Sequence, residues 1–215
     1  MDFITSEQVP KPAPALDMAS LARGLNPALR CMDPKGHLVL LYRLFASVEY
    51  LQRLGINTIL SVGSGNGLLE SLLVKKFPKL TVICVDPEPN KYNRLDDSLF
   101  QSNGLIRLPV LVKSGLEIVS SDIPDGQKFA VLFNWWYPGL ATDADTLLHL
   151  IKTFGFNIQA VLSVCELAGG AGSQIWLNWL NAWTSAALTE DLYKYGVGFD
   201  HIVQGTDIKK CYILL

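Results

Sequence analysis

One stretch limits the folds open to this chain more than any other: Ile59-Leu60-Ser61-Val62-Gly63-Ser64-Gly65-Asn66-Gly67, a strand-like run that empties into a glycine-rich turn. A helical repeat follows at once in Leu68, Leu69, Leu72, Leu73 and Phe77. Glycines at 63, 65 and 67 permit positive φ and let a ligand approach the backbone where a Cβ would clash. The turn is built for something to lie against it. Its GxGxG spacing departs from the dinucleotide fingerprint GxGxxG, which needs glycine at position 68, where the chain has Leu68. A nicotinamide-dependent oxidoreductase is therefore the weaker reading of the turn.

Around this motif, strand-like and helical runs alternate. The apolar residues Leu41, Leu44, Phe45, Val48 and Leu51 predict a helix from Leu38 to Leu54, ended by Gly55 in a left-handed conformation. Strands are expected at 58–62, 80–85, 108–112, 129–133 and 160–164, and helices at 68–77, 91–101 and 143–154. Such alternation implies parallel strands with crossover helices on both faces, and the continuous apolar strands agree with burial on both sides. The pattern breaks near the C-terminus. Phe199-Asp200-His201-Ile202-Val203 and Cys211-Tyr212-Ile213-Leu214-Leu215 flank Gly205-Thr206-Asp207 with no room for a crossover helix, so they are expected to form an antiparallel hairpin. Residues 1–15, with Pro10, Pro12 and Pro14, read as an extended leader, and 16–215 as a single domain with an N-terminal helical segment.

At 215 residues and 49% hydrophobic, the chain can bury a core as one unit. A net charge of −2 and a pI near 5.9 give no basic stripe of the kind nucleic-acid binders use against phosphates. The first residues lack the charged start and apolar core of a signal peptide, and no apolar run is long enough to span a bilayer. These features predict an intracellular protein, cytoplasmic or nuclear, with no membrane partner. Cys31, Cys84, Cys165 and Cys211 are widely spaced and read as reduced, buried thiols; with His37, His149 and His201 equally scattered, no metal site is expected.

The next strand ends Val82-Ile83-Cys84-Val85-Asp86-Pro87, which puts Asp86 just beyond the carboxyl edge of the sheet, about 20 residues after the glycine turn, where it can accept both ribose hydroxyls. With turn, acid and terminal hairpin together, the chain resembles the class I S-adenosylmethionine (SAM) dependent methyltransferases over roughly residues 38–215. The resemblance implies a doubly wound, mostly parallel α/β sheet of seven strands closed by an antiparallel hairpin, with SAM as cofactor. It places Gly63, Ser64 and Gly65 against the methionine part and sugar, Gly67 in the same cofactor-binding turn, Asp86 on the ribose, and Ser114 near the adenine, with Glu117 divided between that role and a solvated helix start. One departure stands out: many members carry an acid two residues before the first glycine, and this chain has Ser61.

The fourth strand runs into Asn134-Trp135-Trp136-Tyr137-Pro138, which resembles the (Asp/Asn)-Pro-Pro-(Tyr/Phe/Trp) motif of amino-methyltransferases with both prolines replaced by tryptophan. On that resemblance, Asn134 borders the cofactor and orients a substrate N–H, Tyr137 shares catalysis, with it or Trp135 stacking on a flat substrate or offering a π face to the sulfonium, and Trp135, Trp136 and Glu166 bind substrate. Packing under the loop is an equal reading for the aromatic rings, and a surface or capping role for Glu166. Gly169-Gly170-Ala171-Gly172 suggests a substrate-side loop, and Trp176, Trp179, Leu180 and Trp183, at i, i+3, i+4 and i+7, read as core. Two functions follow. One is methyl transfer to nitrogen, with oxygen the other atom, in a small molecule or protein, nucleic acid being the less favoured acceptor; the other is a methyltransferase-like scaffold that has lost catalysis and binds a protein partner.

Overall fold

Every described strand joins a single sheet. The computed structural model describes residues 34–89, 100–101, 103–134, 142–166, 173–175 and 209–214. In chain order these give α1 (Pro34–Arg53), β1 (Thr58–Val62), α2 (Leu68–Lys76), β2 (Thr81–Val85), β3 (Val110–Leu111), β4 (Phe129–Asn134), α3 (Thr142–Phe154), β5 (Ile158–Glu166) and β6 (Lys209–Leu214). The sheet order is β3-β2-β1-β4-β5-β6; β6 runs antiparallel to β5 and every other pairing is parallel. This is the doubly wound α/β architecture expected, with six strands among the described residues. The antiparallel closing strand is present, whereas the run 199–203 expected to form the other arm of its hairpin lies outside the described residues, as do the leader 1–15 and the tryptophans 176, 179 and 183.

Side-chain alternation along β1 and β4 divides the interior into two cores. Ile59, Ala130 and Leu132 face one side, where Leu44, Val48 and Leu51 of α1 and Leu69 and Leu73 of α2 cover them. Leu60, Val62, Val131 and Phe133 face the other, against Leu147 and Leu150 of α3 and Ile118 and Ile123 from the β3–β4 connection. Edge-on aromatic contacts reinforce both cores: Phe45 meets Phe77 at 5.9 Å between ring centres, and Phe129 meets Phe154 at 5.3 Å. Gly55 ends α1 at φ 81°, the left-handed value its position requires.

The β3–β4 connection is pinned to α3. Gly115 opens a short 3-10 turn and sits so close to α3 that a Cβ there would lie 2.4 Å from Thr146 Cγ2. His149 Nε2 lies 2.7 Å from the Ile118 carbonyl oxygen, and α3 is anchored at its start by Asp143, which accepts the backbone N–H and hydroxyl of Ser173 at 2.6 and 2.5 Å. Buried Asp143 thereby ties the start of α3 to the chain beyond β5.

Candidate functional site

The chain winds leftward from β1 through β2 to β3, then returns to build β4 and β5 on the other side of β1. Adjacent strands β1 and β4 therefore send their following connections in opposite directions, opening a crevice at their carboxyl ends, the place where doubly wound sheets bind ligands. The glycine turn fills its rim. Gly63, Gly65 and Gly67 hold φ of 76°, 56° and 77°, values that disfavour any side chain. Gly63 and Ser64 both donate their N–H to the Val85 carbonyl oxygen, tying the turn to the end of β2. A Cβ placed on Gly65 would meet nothing within 4 Å among the described residues, so there the turn presents bare backbone.

Asp86 is fixed beside that bare backbone. Its Oδ2 accepts the Gly65 N–H at 2.9 Å and its Oδ1 the Glu88 N–H at 2.7 Å, while its own N–H donates to the Leu111 carbonyl oxygen at 3.1 Å. Each carboxylate oxygen accepts one bond among the described residues and keeps acceptor capacity beyond it. The carboxylate is thus oriented by two backbone N–H groups, and its backbone is tied to the end of β3, before any ligand arrives.

A residue that sequence reasoning passed over lies behind the turn. Glu70, in the first turn of α2, is fully buried; its Oε1 accepts the Ser61 hydroxyl at 2.6 Å and the Asn134 amide Nδ2 at 3.3 Å. Its Oε2 is buried with no hydrogen-bond partner among the described residues, as is Ser64 Oγ in the turn itself. Burial pushes the Glu70 carboxyl up to about 7, against the pull of hydrogen bonds from Ser61, its own N–H and Asn134; the charge of Asp86 adds to the rise. Cys84, a free buried thiol on β2, is raised as well, by desolvation and then by Glu70. The sequence did hold a signal: an acid set among Leu68, Leu69, Leu72 and Leu73, all buried.

Solved structures similar to this chain include methyltransferases. One is the plantazolicin methyltransferase BpumL in complex with a triazolic desmethylPZN analogue and SAH, with 12% identity over 83% of this chain and 66% of that one, and a TM-score of 0.45. The methyltransferase domain of bacterial CtHen1 shares 21% identity over 60% of this chain and 67% of its own, with a TM-score of 0.41. PKMT2 from Rickettsia typhi in complex with AdoHcy shares 16% identity over 51% of this chain and 21% of that one, with a TM-score of 0.37. The chain thus spans about a fifth of the Rickettsia protein and about two thirds of the other two. No protein-family model matches the chain, and no curated protein does. The likeness is one of fold.

The structure brings Gly63, Ser64, Gly65, Gly67, Asp86 and Asn134 to the carboxyl ends of β1, β2 and β4. Ser114 lies past the end of β3, and its N–H donates to Glu117 Oε2 at 2.7 Å. That bond, with the Ser114 side chain, holds the exposed Glu117 carboxyl below its usual range; Glu117 closes its own 3-10 turn as a cap. Glu166 is the last residue of β5, in register with Lys209 of β6. Trp135, Trp136 and Tyr137, like the glycines 169, 170 and 172, lie outside the described residues. Among the described residues, no cluster of three His, Cys, Asp or Glu could hold a metal, and no helix is long and apolar enough to cross a membrane.

Proposed function

We propose that this chain is a SAM-dependent methyltransferase that transfers the methyl group to nitrogen, with oxygen the other candidate atom, on a small molecule or a protein side chain. The observation that carries this reading is the Gly65 N–H to Asp86 Oδ2 bond at 2.9 Å, which sets a carboxylate beside bare backbone at the sheet's switch point. The residues suit such a cofactor: bare backbone at Gly65 admits a flat, close-lying ligand, Asp86 offers two oxygens to a ribose diol, and Ser64 Oγ, unpartnered among the described residues, is one more polar group in the turn.

Bound SAM supplies a methyl group already activated on a sulfonium, so the protein's part is alignment and exclusion of water. Asn134 is the residue of this chain suited to alignment. Its Nδ2 is engaged by Glu70, which directs the amide oxygen to serve as acceptor for a substrate N–H and turn the nitrogen lone pair toward the methyl. Trp135, Trp136 and Tyr137, which follow it in sequence, are assigned to stacking on the acceptor or on the cationic sulfonium, and Glu166 to a substrate cation. Ser114 is assigned to the adenine end.

Calorimetric titration with SAM and S-adenosylhomocysteine tests the reading. Asp86→Ala removes hydrogen bonds to a charged group worth about 1.5–3 kcal/mol each, so affinity for both ligands is expected to fall by roughly tenfold or more. Asp86→Asn, which keeps one acceptor oxygen, is expected to fall between. If the wild-type protein binds neither ligand, the cofactor assignment fails and the scaffold reading takes its place.

A further inference from the structure

Glu70 raises a question that its hydrogen bonds do not answer. Burying a carboxyl among leucines is costly, and one that only stitched β1, α2 and β4 together would be replaceable by an amide, which accepts the same Ser61 and Asn134 donors without the burden of charge. Its place suggests another use. Glu70 lies three residues beyond Gly67, is bonded to the side chain that ends β4, and is near enough to Asp86 for the two acids to repel and to Cys84 for its charge to disfavour that thiol's ionisation. In the family that the sequence resembles, an acid commonly stands at position 61. Here Ser61 stands there and hands its hydroxyl to Glu70.

Resting on the cofactor reading above, we propose that Glu70, in the first turn of the helix after the glycine turn, is the counter-charge for the cationic sulfonium of SAM. The ligand chemistry is specific. A methylated sulfonium carries a positive charge that the demethylated thioether lacks, so a carboxylate held at short range in a desolvated setting favours the donor over the spent product. The groups facing Glu70 among the described residues are Cys84 from β2 and Asp86 just beyond its end, Ser61 from β1 and Asn134 from β4, with no cation of the protein among the influences acting on it. A bound cation therefore supplies what this cluster lacks. Glu70 ionises as the cation arrives, and its proton passes to the buffer.

Calorimetry of the wild-type chain at pH 6.5, in buffers of different ionisation enthalpy, reads that proton directly. Release of most of a proton on binding SAM, distinctly less on binding S-adenosylhomocysteine, and a SAM affinity rising close to tenfold per pH unit below pH 6.5 are the expected results. In Glu70→Gln the release and the pH slope disappear, and the preference for SAM over S-adenosylhomocysteine shrinks. SAM binding that depends on Asp86 yet releases no proton overturns the role of Glu70 and leaves the methyltransferase reading standing. Absence of SAM binding overturns both. The wild-type measurement decides the matter even if Glu70→Gln does not fold.

Discussion

A buried acid leaves a signature in stability as well as in binding. Because the folded protein holds the Glu70 proton up to about pH 7 and the unfolded chain only to 4.5, the native state binds more protons between those values. Stability therefore falls as pH rises from 4.5 to 7, by roughly 3 kcal/mol from this group, and levels off above. Urea midpoints of the wild type and Glu70→Gln across that range check this: the variant is expected to lose this fall and to gain relative to wild type at pH 8. The residue escaped sequence reasoning because its partners are distant. Asn134 lies 64 positions away, and only the fold brings it to the same oxygen as Ser61. The positions of Asp86 and the glycines at the sheet's carboxyl edge were legible because each is set by its distance from the end of a strand.

At the scale of elements, legibility followed backbone chemistry. Strand β1 matches its expected bounds, since every residue from Thr58 to Val62 is buried. The run expected at 108–112 yields only Val110–Leu111: Pro109 has no N–H to give to a ladder, and β2 offers partners at Cys84 and Val85. Strand β5 outruns its expected bounds of 160–164 at both ends because pairing runs through the backbone, with Ile158 opposite Phe129 of β4 and Cys165 and Glu166 opposite Lys210 and Lys209 of β6. The docking of the β3–β4 connection on α3 has no sequence signal at all. It gives a sharp expectation: Gly115→Ala drives a methyl group into Thr146 and costs about 1–3 kcal/mol in a urea melt. Adding Thr146→Ala is expected to recover most of that loss.

For the whole molecule, the sheet is asymmetric. Its parallel body is covered on both faces, and among the described residues its far side ends in β6, which begins with Lys209-Lys210 and pairs with β5 from Val161 to Glu166. Exposed strand edges invite pairing between chains, and lysines are a common deterrent. Deleting residues 209–214 uncovers the β5 backbone, and the expected outcome is self-association seen by light scattering at concentrations where the intact chain stays monodisperse. The fold was readable because alternation of strand and helix is written along the whole sequence. The substrate side was less so, because its candidate residues draw meaning from neighbours that sequence spacing does not specify.

The bond between Ser61 and Glu70 also bears on how such a site can change over generations. The negative charge has two addresses in this architecture, the strand before the turn and the helix after it, and the two touch. Occupying both sets like charges against each other in the interior, while emptying both strips the pocket of its anion. Neither address can be exchanged for the other by one amino-acid replacement without passing through one of these defects.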